Sequence, residues 1–388
     1  SNLVGAFSST PLQAEADRSQ NIILRVLSLH NLRLVSQFAI EALNVKAVVA
    51  EIGPRQKLND VINALNADQR VQSVQQVQPY TLMTYNDPYF SLQSTVNGDR
   101  IEHIHAMTTG KDVIVGIIDT GVDRLHPDLA QNIVYARNFV EQDQGSFDLD
   151  EHGTAIAGVI ASAANNEMGI VGVAPDVRLM VFKACQQELV SRRTSCDSVS
   201  IIKALNDVLV QRPDILNLSL SGPRNLIIEG LLKMASNEGI VLIAAIDEAR
   251  VSADSFPANM DEVIAVGTSL AFKSNVAGVV LAPGTDMLTT APGATYGFKS
   301  GSSIATAYVS GIAALMMEKA PYLTSEQIYA YLRNSSRLDE NEMPVVDMCV
   351  AINDVANTID SFCNGSRSVA AIGAEGPASV KNNEKLTN

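Results

Sequence analysis

Residues 301–315 constrain this chain more than any other segment: Gly301-Ser302-Ser303-Ile304-Ala305 runs without a break into ten small or apolar residues ending at Leu315. A helix with no hydrophilic face must be wrapped in protein. The run therefore predicts a buried helix with a serine, Ser302 or Ser303, at its mouth. Two earlier segments end or begin in the same way. The apolar run 113–118 leads straight into Asp119-Thr120-Gly121, and Asp150-Glu151-His152-Gly153-Thr154-Ala155 opens another small-residue helix. A serine hydroxyl is nearly inert at neutral pH and needs a base within reach. That base in turn needs an acid to orient it, so these three residue types suit a nucleophilic hydrolase.

The rest of the chain supplies a scaffold for such a site. At 388 residues it exceeds one average domain and can bury a large core. Predicted strands at 113–118, 178–183, 215–218, 240–245 and 263–266 alternate with helices at 154–163, 198–211, 226–237 and 303–319. That alternation predicts an α/β fold, a mostly parallel sheet flanked by helices on both faces, whose working residues gather beyond the carboxyl ends of the strands. No glycine-rich Gly-x-Gly-x-x-Gly turn follows the first strand, which argues against a dinucleotide-binding protein. A net charge of −14 argues against nucleic acid or anionic lipid as partner. No apolar stretch approaches the ~20 residues of a membrane span.

The order aspartate, histidine, serine, within Asp-Thr-Gly, His-Gly-Thr and Gly-Ser-Ser-Ile-Ala, resembles the subtilisin family of serine proteases (subtilases, peptidase S8). Five more segments agree: His126-Pro127-Asp128-Leu129, residues 169–175, residues 216–223, residues 263–267 and Leu281-Ala282-Pro283-Gly284. The resemblance spans residues 86–355. It implies a catalytic domain over 86–362 that hydrolyses polypeptides through an acyl-enzyme intermediate. Ser303 would be nucleophile, His152 general base and Asp119 the group that orients His152. Asp123 is read as a loop carboxylate organising the Asp119 turn, and His126 as structural. Ser219, Leu220 and Ser221 would pair with substrate backbone. The family usually has glycine where Ser221 stands, which points to small-to-medium residues before the cut.

One position departs from the family. An oxyanion-hole asparagine normally follows the strand at 240–245, but here Ile246-Asp247 stands in its place. An asparagine donates to the developing oxyanion, whereas an ionised aspartate can only accept and repels it. Asp247 could donate if protonated, Asn217 or Arg250 could supply the donor, or the Ser303 backbone N–H could act alone. A convertase branch of the family also carries aspartate here. The alternative reading is a catalytically weak subtilisin fold that binds peptides or stays an uncleaved zymogen.

No cofactor is required for the chemistry. Residues 164–169 resemble the family's calcium loop, with Asp87, Asp128 and Asn166 as implied ligands of a structural calcium. The four cysteines form two local pairs, Cys185 with Cys196 and Cys349 with Cys363, without zinc spacing. Two disulfides imply a secreted or periplasmic protein, whose signal peptide is not visible at Ser1.

Upstream, residues 1–20 read as a disordered lead-in. Residues 22–27 then predict a strand, 32–43 a helix, 45–52 a strand and 57–65 a helix, and 71–77 alternate. Such an α+β module over 21–85 resembles the family's propeptide, an inhibitor and folding template that would be a partner of its own catalytic domain, cut near Met83. Too little chain separates the two predicted helices for the usual hairpin, which leaves this ferredoxin-like module open to truncation by one strand. Residues 363–388 read as a flexible tail.

Overall fold

The computed structural model describes residues 2–8, 13–41, 45–53, 56–77, 85–93, 101–140, 147–187, 194–248, 255–271, 278–339 and 341–356. The chain divides into two units, Ser1–Met83 and Thr84–Asn388. The first contains β1 (Asn2–Ser8), α1 (Gln13–Leu29), β2 (Leu32–Ile40), β3 (Val45–Ile52), α2 (Leu58–Asn66) and β4 (Ser73–Gln76). They form a four-stranded antiparallel sheet in the order β2-β3-β1-β4. This βαββαβ order is the complete ferredoxin-like motif.

Four sequence expectations are corrected here. The lead-in expected over residues 1–20 contains β1, an interior strand with Val4 opposite both Val49 and Gln75. Residues 22–27, expected as a strand, lie in α1. Its buried Ile23, Val26 and Leu27 follow a helical spacing while Ile22 and Leu24 stay exposed. Residues 32–43, expected as a helix, begin with β2, which pairs with β3 and sets Arg33 against Glu51 across the sheet. The hairpin thought missing is this β2–β3 pair, so the module is not truncated. The expected strand 45–52 and helix 57–65 match β3 and α2.

The second unit runs α3 (Ile101–His105), β5 (Ile114–Asp119), β6 (Ile133–Asn138), α4 (Glu151–Ala161), β7 (Arg178–Lys183), β8 (Cys185–Gln187), β9 (Thr194–Cys196), α5 (Ser198–Gln211) and β10 (Ile215–Leu218). It continues with α6 (Leu226–Asn237), β11 (Val241–Ala245), β12 (Val263–Thr268), β13 (Val279–Ala282), β14 (Met287–Ala291), β15 (Thr295–Lys299), α7 (Ser302–Lys319), α8 (Ser325–Asn334), β16 (Ser336–Leu338), β17 (Pro344–Val346) and α9 (Met348–Ala356). A nine-stranded sheet has the order β16-β17-β13-β12-β11-β10-β5-β7-β6, parallel except at the β16–β17 edge.

Successive residues of these strands enter two different cores. Val115, Ile117, Ile215, Val241 and Ile243 pack with α4 and α7 on one face. Ile118, Leu216, Leu218, Leu242 and Ala244 pack with α5 and α6 on the other. Burial on both faces explains why the strands read as continuous apolar runs. Helix α7 is buried over nearly its whole length, including a fully buried Tyr308. Small residues let it sit close: a methyl added at Gly311 would come within 2.6 Å of Val173. Between β5 and β10 the strand order reverses, and the carboxyl ends of these strands flank a crevice of the kind that holds ligands in such sheets.

Candidate active site

Asp119 is the last residue of β5, 3% exposed, and its Oδ1 accepts the backbone N–H of Thr120 at 2.7 Å. Gly121 follows with φ +110°, a backbone that L side chains rarely adopt. His152 stands in the first turn of α4, which abuts this loop. A Cβ on Gly153 would lie 2.0 Å from the Gly121 carbonyl oxygen, so only glycine permits the approach. The Gly153 N–H donates to Thr120 Oγ1 at 3.1 Å. As a result His152 Nδ1 lies 2.8 Å from Asp119 Oδ1 and 3.0 Å from Oδ2.

A buried carboxylate can only accept, so Nδ1 carries the proton and Nε2 of the neutral ring is left as base. The charge of Asp119 raises the His152 pKa above the ordinary imidazole value, against the opposing effect of burial.

Ser303 lies at the N-terminus of α7, after Gly301 with φ +133°. Its hydroxyl donates to the carbonyl oxygen of Ser219 at 3.2 Å, and Ser219 Oγ donates back to the Ser303 carbonyl at 3.1 Å. Asn217 Nδ2 donates to Ser219 Oγ at 2.9 Å, and Ser310 Oγ donates to Asn217 Oδ1 at 3.0 Å. This buried network joins the end of β10 to the first turns of α7. Ser219, Leu220 and Ser221 line a cleft of about 500 Å³ together with Asp119 and His152. The structure thus pairs Asp119 with His152 directly and connects Ser303 to their cleft through Ser219. The Ser303 hydroxyl hydrogen bond found among the described residues is to Ser219, not to His152.

Asp247 follows β11, half-buried, with its N–H donating to Ser255 Oγ at 3.1 Å. The preceding carbonyl, that of Ile246, accepts from Ser302 Oγ at 2.8 Å, which holds this segment beside the start of α7. Asn217 is fully buried and its amide is engaged between β10 and α7. Arg250 lies outside the described residues.

Asp123 accepts from Leu125 N at 3.0 Å and Gly293 N at 2.8 Å, tying the loop after β5 to the β14–β15 hairpin. His126 is fully buried; its Nδ1 accepts from Asp128 N at 3.2 Å, leaving Nε2 to donate to the Thr295 carbonyl at 3.1 Å.

Of the implied calcium ligands, Asp87 and Asp128 are both buried, and neither forms an ion pair among the described residues. Asp87 Oδ1 has no hydrogen-bond partner among the described residues, and burial, its largest perturbation, raises the pKa of this carboxyl. Asn166 is turned the other way. Its Oδ1 accepts from Met168 N at 2.9 Å and its Nδ2 donates to Asp128 Oδ1 at 2.8 Å. Among the described residues no group of three or more histidine, cysteine, aspartate or glutamate side chains converges on a metal position.

Sequence reasoning missed two parts of the site. Cys185 and Cys196 form a disulfide that closes the β8–β9 hairpin, and both line the cleft. The pairing was legible from spacing, its place in the cleft was not. Cys349 is also disulfide-bonded, and its expected partner Cys363 lies outside the described residues. The second omission is Lys183, fully buried at the end of β7. A lysine closing the apolar run Leu179–Phe182 could have drawn notice.

The profile of the subtilase family (Peptidase_S8) matches residues 110–365. The chain is 35% identical over 247 residues to an intracellular serine protease of Paenibacillus polymyxa, covering 58% of this chain and 74% of that protein. It is 35% identical over 210 residues to a thermophilic serine proteinase of Bacillus sp. (strain AK1), covering 52% and 51% of the two chains. It is 34% identical over 242 residues to subtilisin NAT of Bacillus subtilis subsp. natto, covering 59% and 61%. A solved structure titled as proteases from Pseudoalteromonas arctica PAMC 21717 superposes with a TM-score of 0.56 at 21% identity, covering 70% of this chain and 99% of that one. That likeness concerns the fold. The chain belongs to the subtilase family of serine endopeptidases. Among the described residues, no helix is long and apolar enough to cross a membrane.

Proposed function

We propose that this protein hydrolyses peptide bonds through an acyl-enzyme formed on Ser303. The observation that carries this reading is the Asp119–His152 pair, opening on a cleft whose wall hydrogen-bonds Ser303. On substrate binding the Ser303 hydroxyl turns from the Ser219 carbonyl to His152 Nε2. His152 takes the proton as Ser303 Oγ bonds to the scissile carbonyl carbon, and Asp119 stabilises the imidazolium without itself being protonated. His152 then protonates the departing amine. Water repeats the sequence and releases the acid. The Ser303 N–H, at the positive end of α7, faces the oxyanion. Ser219, Leu220 and Ser221 align the substrate backbone, with Ser221 narrowing the pocket toward small-to-medium residues.

The second reading, a weak enzyme or peptide binder, is favoured by Asp247 in the oxyanion position and by the Ser303 hydroxyl resting on Ser219. A fluorophosphonate probe separates the two. Wild type should label and Ser303→Ala should not, with Asp247→Asn labelling at least as fast as wild type. No labelling after removal of the N-terminal unit would leave the binder.

The N-terminal unit acts as the propeptide of this enzyme, its inhibitor and folding template. A secreted or periplasmic location is supported by the Cys185–Cys196 bond, since disulfides persist in oxidising compartments. Calcium is structural, held by Asp87 and Asp128, whose buried oxygens suit a hard cation. Asn166 joins them only if its amide turns over. Calcium should raise the melting temperature of wild type and leave that of Asp87→Asn unchanged.

A further inference from the structure

Lys183 is a cation with no exposed surface, buried beside a site whose chemistry does not use it. In the sheet its Cα stands directly opposite that of Asp119, on the neighbouring strand. Its Nζ reaches past the strand end and donates to the Thr120 carbonyl and to Asp150 Oδ2. Thr120 follows Asp119, and Asp150 is the N-cap of α4, two residues before His152. An N-cap aspartate ordinarily accepts from the first N–H groups of its own helix. The Asp150 side chain makes no such cap bond. It is 4% exposed and turned to Lys183 instead. The lysine stem also packs on the loop: a Cβ at Gly121 would lie 3.3 Å from Lys183 Cδ. Taking a lysine and an aspartate out of water is expensive. Such pairs are often no more stabilising than apolar residues, and their best-attested use is to fix one arrangement.

We infer that Lys183 and Asp150 are positioning residues, a buried ion pair that locks the loop carrying Asp119 to the helix start carrying His152 and so sets the distance between them. Neither touches substrate. The inference rests on the endopeptidase reading for its consequence in catalysis, but not for its geometry. A salt bridge that served the fold alone would affect melting and leave His152 as it is. A positioning pair sets how closely Asp119 meets the imidazole. The charges acting most strongly on His152 are Asp119, Lys299 and Glu151, none of which is altered in the variants below.

The test uses the full chain carrying Lys183→Met with Asp150→Asn, which removes both charges together and leaves neither unpaired. The His152 imidazole is titrated by NMR, and kcat and KM are measured on a peptide amide across pH. The expected result is a folded variant whose His152 titrates at lower pH than in wild type. Its kcat should fall ~10²-fold, as for an ångström-scale misplacement of a catalytic group. KM should stay close to that of wild type, because the cleft wall is intact. An unchanged His152 titration together with an unchanged kcat would overturn the proposal. If the double variant does not fold, Asp150→Asn alone keeps the lysine and an acceptor. Because losing that carboxylate lowers the His152 titration by charge alone, the single variant is read by kcat at a pH where His152 is neutral in both proteins: a fall in the same direction is expected, and an unchanged kcat would overturn the proposal. Should wild type cleave no peptide, the endopeptidase reading fails, while the His152 titration still decides whether the pair positions it.

Discussion

At the scale of single residues, the contact that organises the site is Asp119 with His152, and it sets a pH dependence. The carboxylate raises the imidazole pKa, and the proposed mechanism needs the neutral ring, so activity should fall as pH drops through that raised value. Asp119→Asn removes the first cause of the shift. The acid limb of kcat/KM should move to lower pH, while kcat falls about 10⁴-fold as the ring loses its fixed tautomer. Stability runs the opposite way. A raised folded pKa means that the ion pair stabilises fully below the ordinary imidazole value and loses its contribution as pH rises through the folded one. Thermal melts of wild type and Asp119→Asn across that window should therefore converge at high pH. The candidates Asp119, His152 and Ser303 were legible in the sequence because each stands at the edge of a regular element. Lys183 was not, because nothing local distinguishes a lysine that ends an apolar strand in solvent from one that turns inward.

At the scale of elements, small residues decide how closely helices approach the sheet and the loops. Gly153 lets α4 meet the Gly121 carbonyl, and Gly158 lets the same helix pass β14, where a Cβ would lie 2.2 Å from Thr290 Oγ1. The β8–β9 hairpin is held differently, by a disulfide closing a sequence separation of 11 residues. Cys185→Ser with Cys196→Ser should lower stability by about 3 kcal/mol through the loop entropy returned to the unfolded chain, read from urea melts. Because the hairpin forms one wall of the cleft, the same variant should raise KM for long peptides more than for a short ester substrate. The main elements of the second unit were readable in the sequence: the parallel strands are continuous apolar runs, and α5 and α6 are amphipathic. The first half of the N-terminal unit was not. Ile22 through Leu27 are apolar enough to suit either a strand or a helix, and only their neighbours in the folded unit decide which positions are buried.

At the scale of the whole molecule, the two units carry separate cores. If the second cuts the first away, purified wild type should lose about 83 N-terminal residues on incubation, the length of the first unit, as read by intact mass. Ser303→Ala should keep its full mass. Retention of the whole chain in wild type would favour the uncleaved alternative. Apolar periodicity and short motifs are local properties of the chain, and from them alone came the fold class, the family and the candidate residues Asp119, His152 and Ser303. That the N-terminal module has its full four strands emerges only from the folded arrangement. The same holds for the disulfide hairpin that walls the cleft, for Ser303 resting on Ser219, and for the buried lysine that bonds both the Thr120 carbonyl and Asp150. Each of these depends on contacts between residues far apart in the chain, where partner and distance are set by packing and leave no local pattern to read.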